Sequence, residues 1–151
     1  MNMSYGKNGL ELTKGFEKCR LMPYKDGGGV WTNGWGNTHR VTPGVAITQE
    51  QADKDLLANV QDAVDCVNDS VRVKLTQDQF DALVDFTFNV GCGAFKASTL
   101  LKKMNVGDFV GADAQFAVWN KIRVNGVLTA SRGLDNRRAA EDKLFDEGER
   151  A

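Results

Sequence analysis

The 151-residue chain has only two prolines, one histidine and three cysteines, and the cysteines (Cys19, Cys66 and Cys92) stand far apart. One histidine and three scattered thiols lack the short paired spacings of a zinc site. Neither a metal nor another cofactor is therefore expected. An odd, widely spaced set of cysteines makes no complete disulfide framework, so all three are expected to be free thiols in a protein made in a reducing compartment. Two prolines against 16 glycines suggest tight turns rather than stiff linkers. No sign of charge dominates: 19 basic and 20 acidic residues leave a formal net charge of -1. That excludes the broad basic surface of a nucleic-acid binder and gives no strong attraction to anionic membranes. The N-terminus lacks the apolar run of ~7–15 residues of a signal peptide, and no stretch approaches the ~20 apolar residues of a membrane span. What remains is ordinary for a globular protein, with 42% hydrophobic and 26% charged residues. The length suits about one domain, able to bury roughly two thirds of its unfolded surface without staples.

Along the chain, Leu12, Phe16 and Cys19 recur at helical spacing, with Asn8 as the expected cap. Residues 20–47 change character. They are rich in glycine, threonine and aromatics, and alternate through Val30-Trp-Thr-Asn-Gly-Trp35, which predicts a small antiparallel sheet. Thr48-Gln-Glu-Gln51 is a capping-box pattern. Behind it Ala52, Leu56, Val60, Ala63, Val64 and Val67 form an apolar stripe, which Asn68-Asp-Ser70 is expected to end. Thr76-Gln-Asp-Gln79 is a second capping box, ahead of Phe80, Leu83, Val84, Thr87 and Phe88. Ser98 and Asp108 are expected to start two further helices, the second with Phe109, Ala112, Phe116 and Trp119 inside. Residues 120–128 read as a polar loop, and a last helix is expected from about Ser131 to Phe145. Helix, small sheet, then many helices make the class α+β with segregated elements.

Three side chains in the glycine-rich region carry chemistry: Glu17, Asp26 and Thr32, spaced by nine and six residues. A carboxyl backed by apolar neighbours holds its proton longer than one in a wet turn, and a hydroxyl can hold a water. Glycoside hydrolysis uses this equipment: an acid for the leaving oxygen, a second carboxylate, and a water. The spacing alone is equally compatible with surface carboxylates and a strand threonine.

The flanking residues narrow the choice. Glu17, Asp26 and Thr32 match the Glu-x8-Asp-x5-Thr pattern of the phage-type lysozymes (glycoside hydrolase family 24, the endolysins). Gly9-Leu-Glu-Leu-Thr-Lys-Gly-Phe-Glu17 resembles that family's first helix. Tyr24-Lys-Asp26, Val30-Trp-Thr32 and Gly34-Trp-Gly36 resemble its hairpin. Phe88-Asn-Val-Gly-Cys-Gly-Ala-Phe95 with Ser98-Thr-Leu-Leu101 resembles its central helix and loop. Trp119 and Gly133-Leu-Asp-Asn-Arg-Arg-Ala-Ala-Glu141 resemble its closing signature. The resemblance implies a single catalytic domain over 1–151 with a lysozyme-like fold: a small antiparallel β lobe (about 20–47), a connecting helix (about 48–67) and a larger helical lobe (about 68–151 plus the N-terminal helix). The active-site cleft is expected between the lobes.

It also implies roles. Glu17 takes the place of the general acid, Asp26 that of the carboxylate acting on the attacking water, and Thr32 that of the hydroxyl holding it. The bond cleaved is the β-1,4 link between N-acetylmuramic acid and N-acetylglucosamine in peptidoglycan, with inversion. Phe88 and Asn89 match positions at the rim of the cleft, which makes them candidate substrate contacts, the alternative being a core Phe and a helix-terminating Asn. Arg137 is expected to point inward and pair with Glu17, while Arg138 is the less critical of the two. Where the family often carries His after the second hairpin glycine, this chain has Asn37, and His39 follows two residues later. Trp119 is expected to pack, whereas Trp31 and Trp35 are open to sugar stacking. The implied partner is the glycan strand, with no nucleic acid and no membrane insertion. The chain is expected to be a monomer waiting in the host cytoplasm until a holin admits it to the wall, where it lyses the host. A non-catalytic peptidoglycan-binding module, a bacterial effector and a virion-associated wall enzyme are the alternatives.

Overall fold

The computed structural model describes residues 2–150, with side chains through Glu147. Among the described residues there are two small antiparallel sheets and seven α-helices, an α+β architecture. The chain divides into two compact units: Thr13–Asp62, and Met1–Leu12 with Ala63–Ala151. Among the described residues no helix is long and apolar enough to cross a membrane.

The first unit carries the end of α1 (Lys7–Glu17), the hairpin of β1 (Arg20–Lys25) and β2 (Trp31–Gly34), and the start of α2 (Gln49–Ser70). β1 and β2 pair with Tyr24 opposite Thr32 and Lys25 opposite Trp31. A bridge from Asn33 to Asn37 extends the sheet beyond β2. The long loop after it closes back onto β1 where Ile47 N–H donates to Leu21 O at 3.0 Å. Gly34 has a positive φ of 55°, and a Cβ there would sit 3.2 Å from the Ala52 side chain, so the hairpin lies directly against α2. Asp53 on α2 gathers the rest. Its carboxylate accepts from the Trp35 indole at 2.8 Å and from Gln49 at 3.1 Å, and it pairs with Lys14 at 3.7 Å. The indole bond is the first of the causes that hold the Asp53 carboxyl below its ordinary range.

The expected stripe on α2 is buried from Ala52 to Val67. Only half of its capping box forms. Thr48 Oγ1 accepts from Gln51 N–H at 3.0 Å, but the Gln51 side chain donates forward to Asp55. The helix ends at Ser70, within the expected Asn68-Asp-Ser70 segment. Asn68 is committed sideways to the Met3 backbone, donating to its carbonyl and accepting from its N–H, both at 2.9 Å.

The second unit is organised on α3 (Gln77–Val90), opened by the complete Thr76–Gln79 capping box and ended at Gly91. Every residue from Gln79 to Thr87 is buried. A helix buried all round sits inside a core rather than on it. Phe86 stands edge-to-face to Phe95, Phe116 and Trp119 at 5.5–6.3 Å. Around it run α4 (Cys92–Ala97), α5 (Thr99–Asn105, capped by Ser98), α6 (Phe109–Gln115, capped by Asp108) and α7 (Arg132–Arg150). Asn8 lies within α1 and does not cap it. Asp81 on α3 accepts from Gly6 N–H at 2.9 Å and Gly9 N–H at 3.1 Å, holding the helix start from across the core.

Two expectations fail here. Residues 120–128 do not form a polar loop: β3 (Lys121–Val124) and β4 (Val127–Ala130) make an antiparallel hairpin. Its turn is Asn125-Gly126, both at positive φ (50° and 80°), the turn that matches strand twist. The cysteines are not all free either. Cys66 and Cys92 form a disulfide, with Cα atoms 5.9 Å apart, leaving Cys19 as the free thiol. The pair is 26 residues apart in sequence, and only the packing of α2 beside the α3–α4 turn brings it together.

Candidate active site

Glu17, Asp26 and Thr32 all belong to the first unit. Glu17 is the last residue of α1, half-buried, where the helix breaks into Lys18 at φ 60°. Its Oε2 lies 2.8 Å from where a Cβ would stand on Gly36, which itself has φ 80°. Glycine at position 36 thus lets the bridge that follows β2 run against the carboxyl, on both steric and torsional grounds.

Asp26 is exposed and opens the turn after β1. Its Oδ1 accepts from Gly28 N–H at 2.8 Å and Val30 N–H at 2.9 Å, which fixes the carboxylate by one oxygen. Thr32, 4% exposed, lies on β2. Its hydroxyl donates to Val30 O at 3.0 Å, and that same carbonyl accepts from Asp26 N–H at 2.9 Å. One backbone carbonyl therefore ties the Asp26 and Thr32 positions together. With its proton committed there, the Thr32 hydroxyl oxygen has only its acceptor lone pairs left to offer.

Asn37, at the position of the family's histidine, is 4% exposed and fully engaged. Its Nδ2 donates to Asn33 Oδ1 and His39 O, both at 2.9 Å, while its Oδ1 accepts from Asn59 at 3.0 Å and His39 N–H at 3.3 Å. A neutral side chain meets all four of its hydrogen-bond capacities there. Trp35 is anchored by Asp53 and stands under Lys14 Nζ at 5.3 Å, whereas Trp31 remains 37% exposed.

Phe88, Asn89 and Arg137 belong to the other unit. Phe88 is half-buried against its core. Asn89 is exposed, and its Oδ1 accepts from Arg138 at 2.8 Å. Arg137, 6% exposed, is gripped in bidentate fashion by Asp85: Nε to Oδ2 at 3.0 Å and Nη2 to Oδ1 at 2.9 Å. Arg138 is the more buried of the pair, at 1%. It meets Glu141 at 2.7 and 3.0 Å, and stacks on Phe86 with 5.0 Å to the ring centre. Arg138, expected to be the less critical neighbour, is thus the more deeply enclosed of the two. Asp85 and Glu141, both fully buried, are the residues that sequence reasoning missed. A helix as enclosed as α3 has to bury its polar residues, and those need partners. Burial first, then the Asp85 carboxyl, pushes Glu141 well above the usual carboxylate range, against the pull of Arg138 and Arg137. No group of three or more potential metal ligands clusters among the described residues.

Known proteins resemble this chain over nearly its whole length. The phage lysozyme family matches residues 14–141. The endolysin of Acyrthosiphon pisum secondary endosymbiont phage 1 is 45% identical over 144 residues, covering 95% of this chain and 99% of that one. Among solved structures, the endolysin from Escherichia coli O157:H7 phage FAHEc1 superposes with a TM-score of 0.92 at 39% identity, covering 96% of this chain and 94% of its own. The muramidase domain of SpmX from Asticaccaulis excentricus superposes with a TM-score of 0.90 at 36% identity, covering 95% and 98%.

Proposed function

The chain belongs to the phage lysozyme family, and from that membership we propose that it cleaves the β-1,4 bond between N-acetylmuramic acid and N-acetylglucosamine by a single inverting displacement, in the service of host lysis. That it is a lysozyme, an enzyme hydrolysing peptidoglycan, is what the family does. The observation that carries the finer reading is the shared Val30 carbonyl, which joins the Asp26 backbone to the Thr32 hydroxyl. Asp26 Oδ1 is occupied by two backbone N–H groups, and Thr32 has already spent its proton. Asp26 Oδ2 and the Thr32 lone pairs remain to accept the two hydrogens of one water. A water held by both hydrogens presents its own lone pair to the anomeric carbon. Asp26 takes the proton as the C–O bond forms, and Glu17 protonates the departing glycosidic oxygen. Arg137 is read as the cation supporting Glu17, and Phe88 and Asn89 as glycan contacts.

The chain is taken to be a monomer that folds in the host cytoplasm and reaches the wall through a holin. Its Cys66–Cys92 bond then closes under the more oxidising conditions outside. The test is the anomeric form of the first-formed product, read by NMR before mutarotation. Inversion requires the α anomer at a hydrolysed, reducing muramic acid end. A β anomer, or a glycan trapped on Asp26, would remove the roles given to Asp26 and Thr32, and an anhydro end would replace hydrolysis by transglycosylation. Glu17→Gln keeps the shape without the proton and should lower wall clearing by at least ~10²–10⁴-fold.

A further inference from the structure

Beside the hairpin, and wholly within the first unit, lies a cavity of about 320 Å³ whose lining none of the proposed chemistry uses. Its floor is the asparagine network. Asn33 is 2% exposed, and its side-chain oxygen accepts from Asn37. Its amide nitrogen, with two hydrogens to give, donates to no other described protein group. Asn33 lines the cavity, so that amide is within reach of whatever occupies it. Asn59 adds the reverse element: its nitrogen serves Asn37, which leaves its oxygen as an acceptor.

The rim carries both signs of charge. Arg40 has no protein partner among the described residues, and its backbone is held at φ 55°, a conformation that non-glycine residues adopt at a cost. His39 stands next to it, its ring equally uncommitted. Asp55 is half-buried in the lining, with Oδ1 accepting from Gln51 at 2.8 Å and Oδ2 unclaimed. A simple anion such as phosphate would meet Arg40 and Asn33 but be opposed by Asp55. A neutral sugar would offer neither Arg40 nor Asp55 a counter-charge. A ligand with a carboxylate and an ammonium a few bonds apart answers every group.

We propose that this cavity is a binding site for a zwitterionic amino-acid end, the carboxylate taken by Arg40 and the Asn33 amide and the ammonium by Asp55. Given the lysozyme reading, on which this identification rests, the ligand is the diamino-acid portion of a peptidoglycan stem peptide. The volume lies at the small end of the ~300–1,000 Å³ range of ligand sites, room for one residue with its termini and not for a glycan. The site shares its hairpin with Thr32, so peptide bound here would hold the wall polymer to the lobe that carries the catalytic groups.

Free stem tetrapeptide containing diaminopimelate, titrated into the intact protein and followed by heteronuclear NMR, should shift the side-chain amides of Asn33, Asn37 and Asn59 in a saturable way. N-acetylglucosamine and inorganic phosphate at the same concentrations should not. Arg40→Ala and Asp55→Ala should each weaken binding on the order of tenfold, the scale of one lost charge-assisted hydrogen bond. On walls, Arg40→Ala should raise KM for peptide-bearing glycan and leave kcat and the KM for amidase-stripped glycan unchanged. Absence of the asparagine shifts, equal shifts with sugar or phosphate, or full binding by Arg40→Ala overturns the proposal. The peptide titration needs no turnover. Shifts in a chain that cleaves no glycan would therefore defeat the lysozyme reading alone, while cleavage without shifts would defeat this site alone.

Discussion

Reducing the Cys66–Cys92 bond should cost the protein a large part of its stability. The bond closes a loop of 26 residues in sequence separation, joining the last turn of α2 to the start of α4 around the whole of α3. In the chain-entropy picture, a cross-link over a loop of this length removes about 12 cal/mol/K from the unfolded ensemble, which is roughly 3.5 kcal/mol at 25 °C. For a domain of this size each kcal/mol moves the melting temperature by ~2–4 °C, so reduction should lower it by roughly 7–14 °C. Cys66 is 4% exposed, but Cys92 is only half-buried, which gives a reductant a route. The assay is thermal unfolding by circular dichroism of air-oxidised protein, with and without a phosphine reductant. Cys66→Ala with Cys92→Ser serves as the control and should melt low and ignore the reductant. A thiol count on denatured, unreduced protein should find one thiol, that of Cys19. Three thiols, or a melting temperature that reductant does not move, would refute the bond and its energetic role together.

Gly36→Ala should strike the acid directly. The new Cβ would come within 2.8 Å of Glu17 Oε2 at a backbone φ of 80°, so kcat should fall at least about tenfold with a stability loss of only about 1–2 kcal/mol; parent kcat in the folded variant would break the link between that glycine and the carboxyl. Arg138→Ala should be as damaging as Arg137→Ala, each costing about 3–5 kcal/mol by stranding a buried carboxyl. A change in chemical denaturation within about 0.5 kcal/mol for Arg138→Ala, as at a surface site, would contradict its burial. The Asp53 carboxyl is held below its ordinary value of 3.8, with the Trp35 bond as the leading cause. Its contribution is therefore complete above that value and is lost as pH falls through the lowered one. Tryptophan fluorescence should show a step below pH 3.8 that Asp53→Ala abolishes, and an identical step in both proteins would assign the signal to another ring.

Much of this fold is written in short-range signals. Thr76 and Gln79 sit three residues apart and cap each other wherever the helix goes, and Ser98 and Asp108 act as caps through the same local geometry. The stripe from Ala52 to Val67 is a property of helical period, and it is buried as the period demands. The candidate site residues were legible for another reason: Glu17, Asp26 and Thr32 lie within 16 positions of one another in a motif whose flanks are equally distinctive. The β3–β4 hairpin was also present in local form, since Asn125-Gly126 between alternating strands is a turn signal that the polar composition obscured.

Long-range pairing decided the rest. Nothing near Cys66 in the chain distinguishes it from Cys19 as the partner of Cys92; the choice belongs to the helices that bring two sulfurs within reach and leave the third beside Gln49. Arg137 and Asp85 are separated by 52 positions, and each is an ordinary charged residue until α3 and α7 enclose both and leave them no water. In the same way, Asn37 became a satisfied neutral substitute for a histidine only where Asn33, His39 and Asn59 converge on it. Local sequence determines where helices and turns begin, because those bonds span three or four residues. Which buried charge, thiol or amide finds a partner depends on which elements exclude water from it, and that is a property of packing alone.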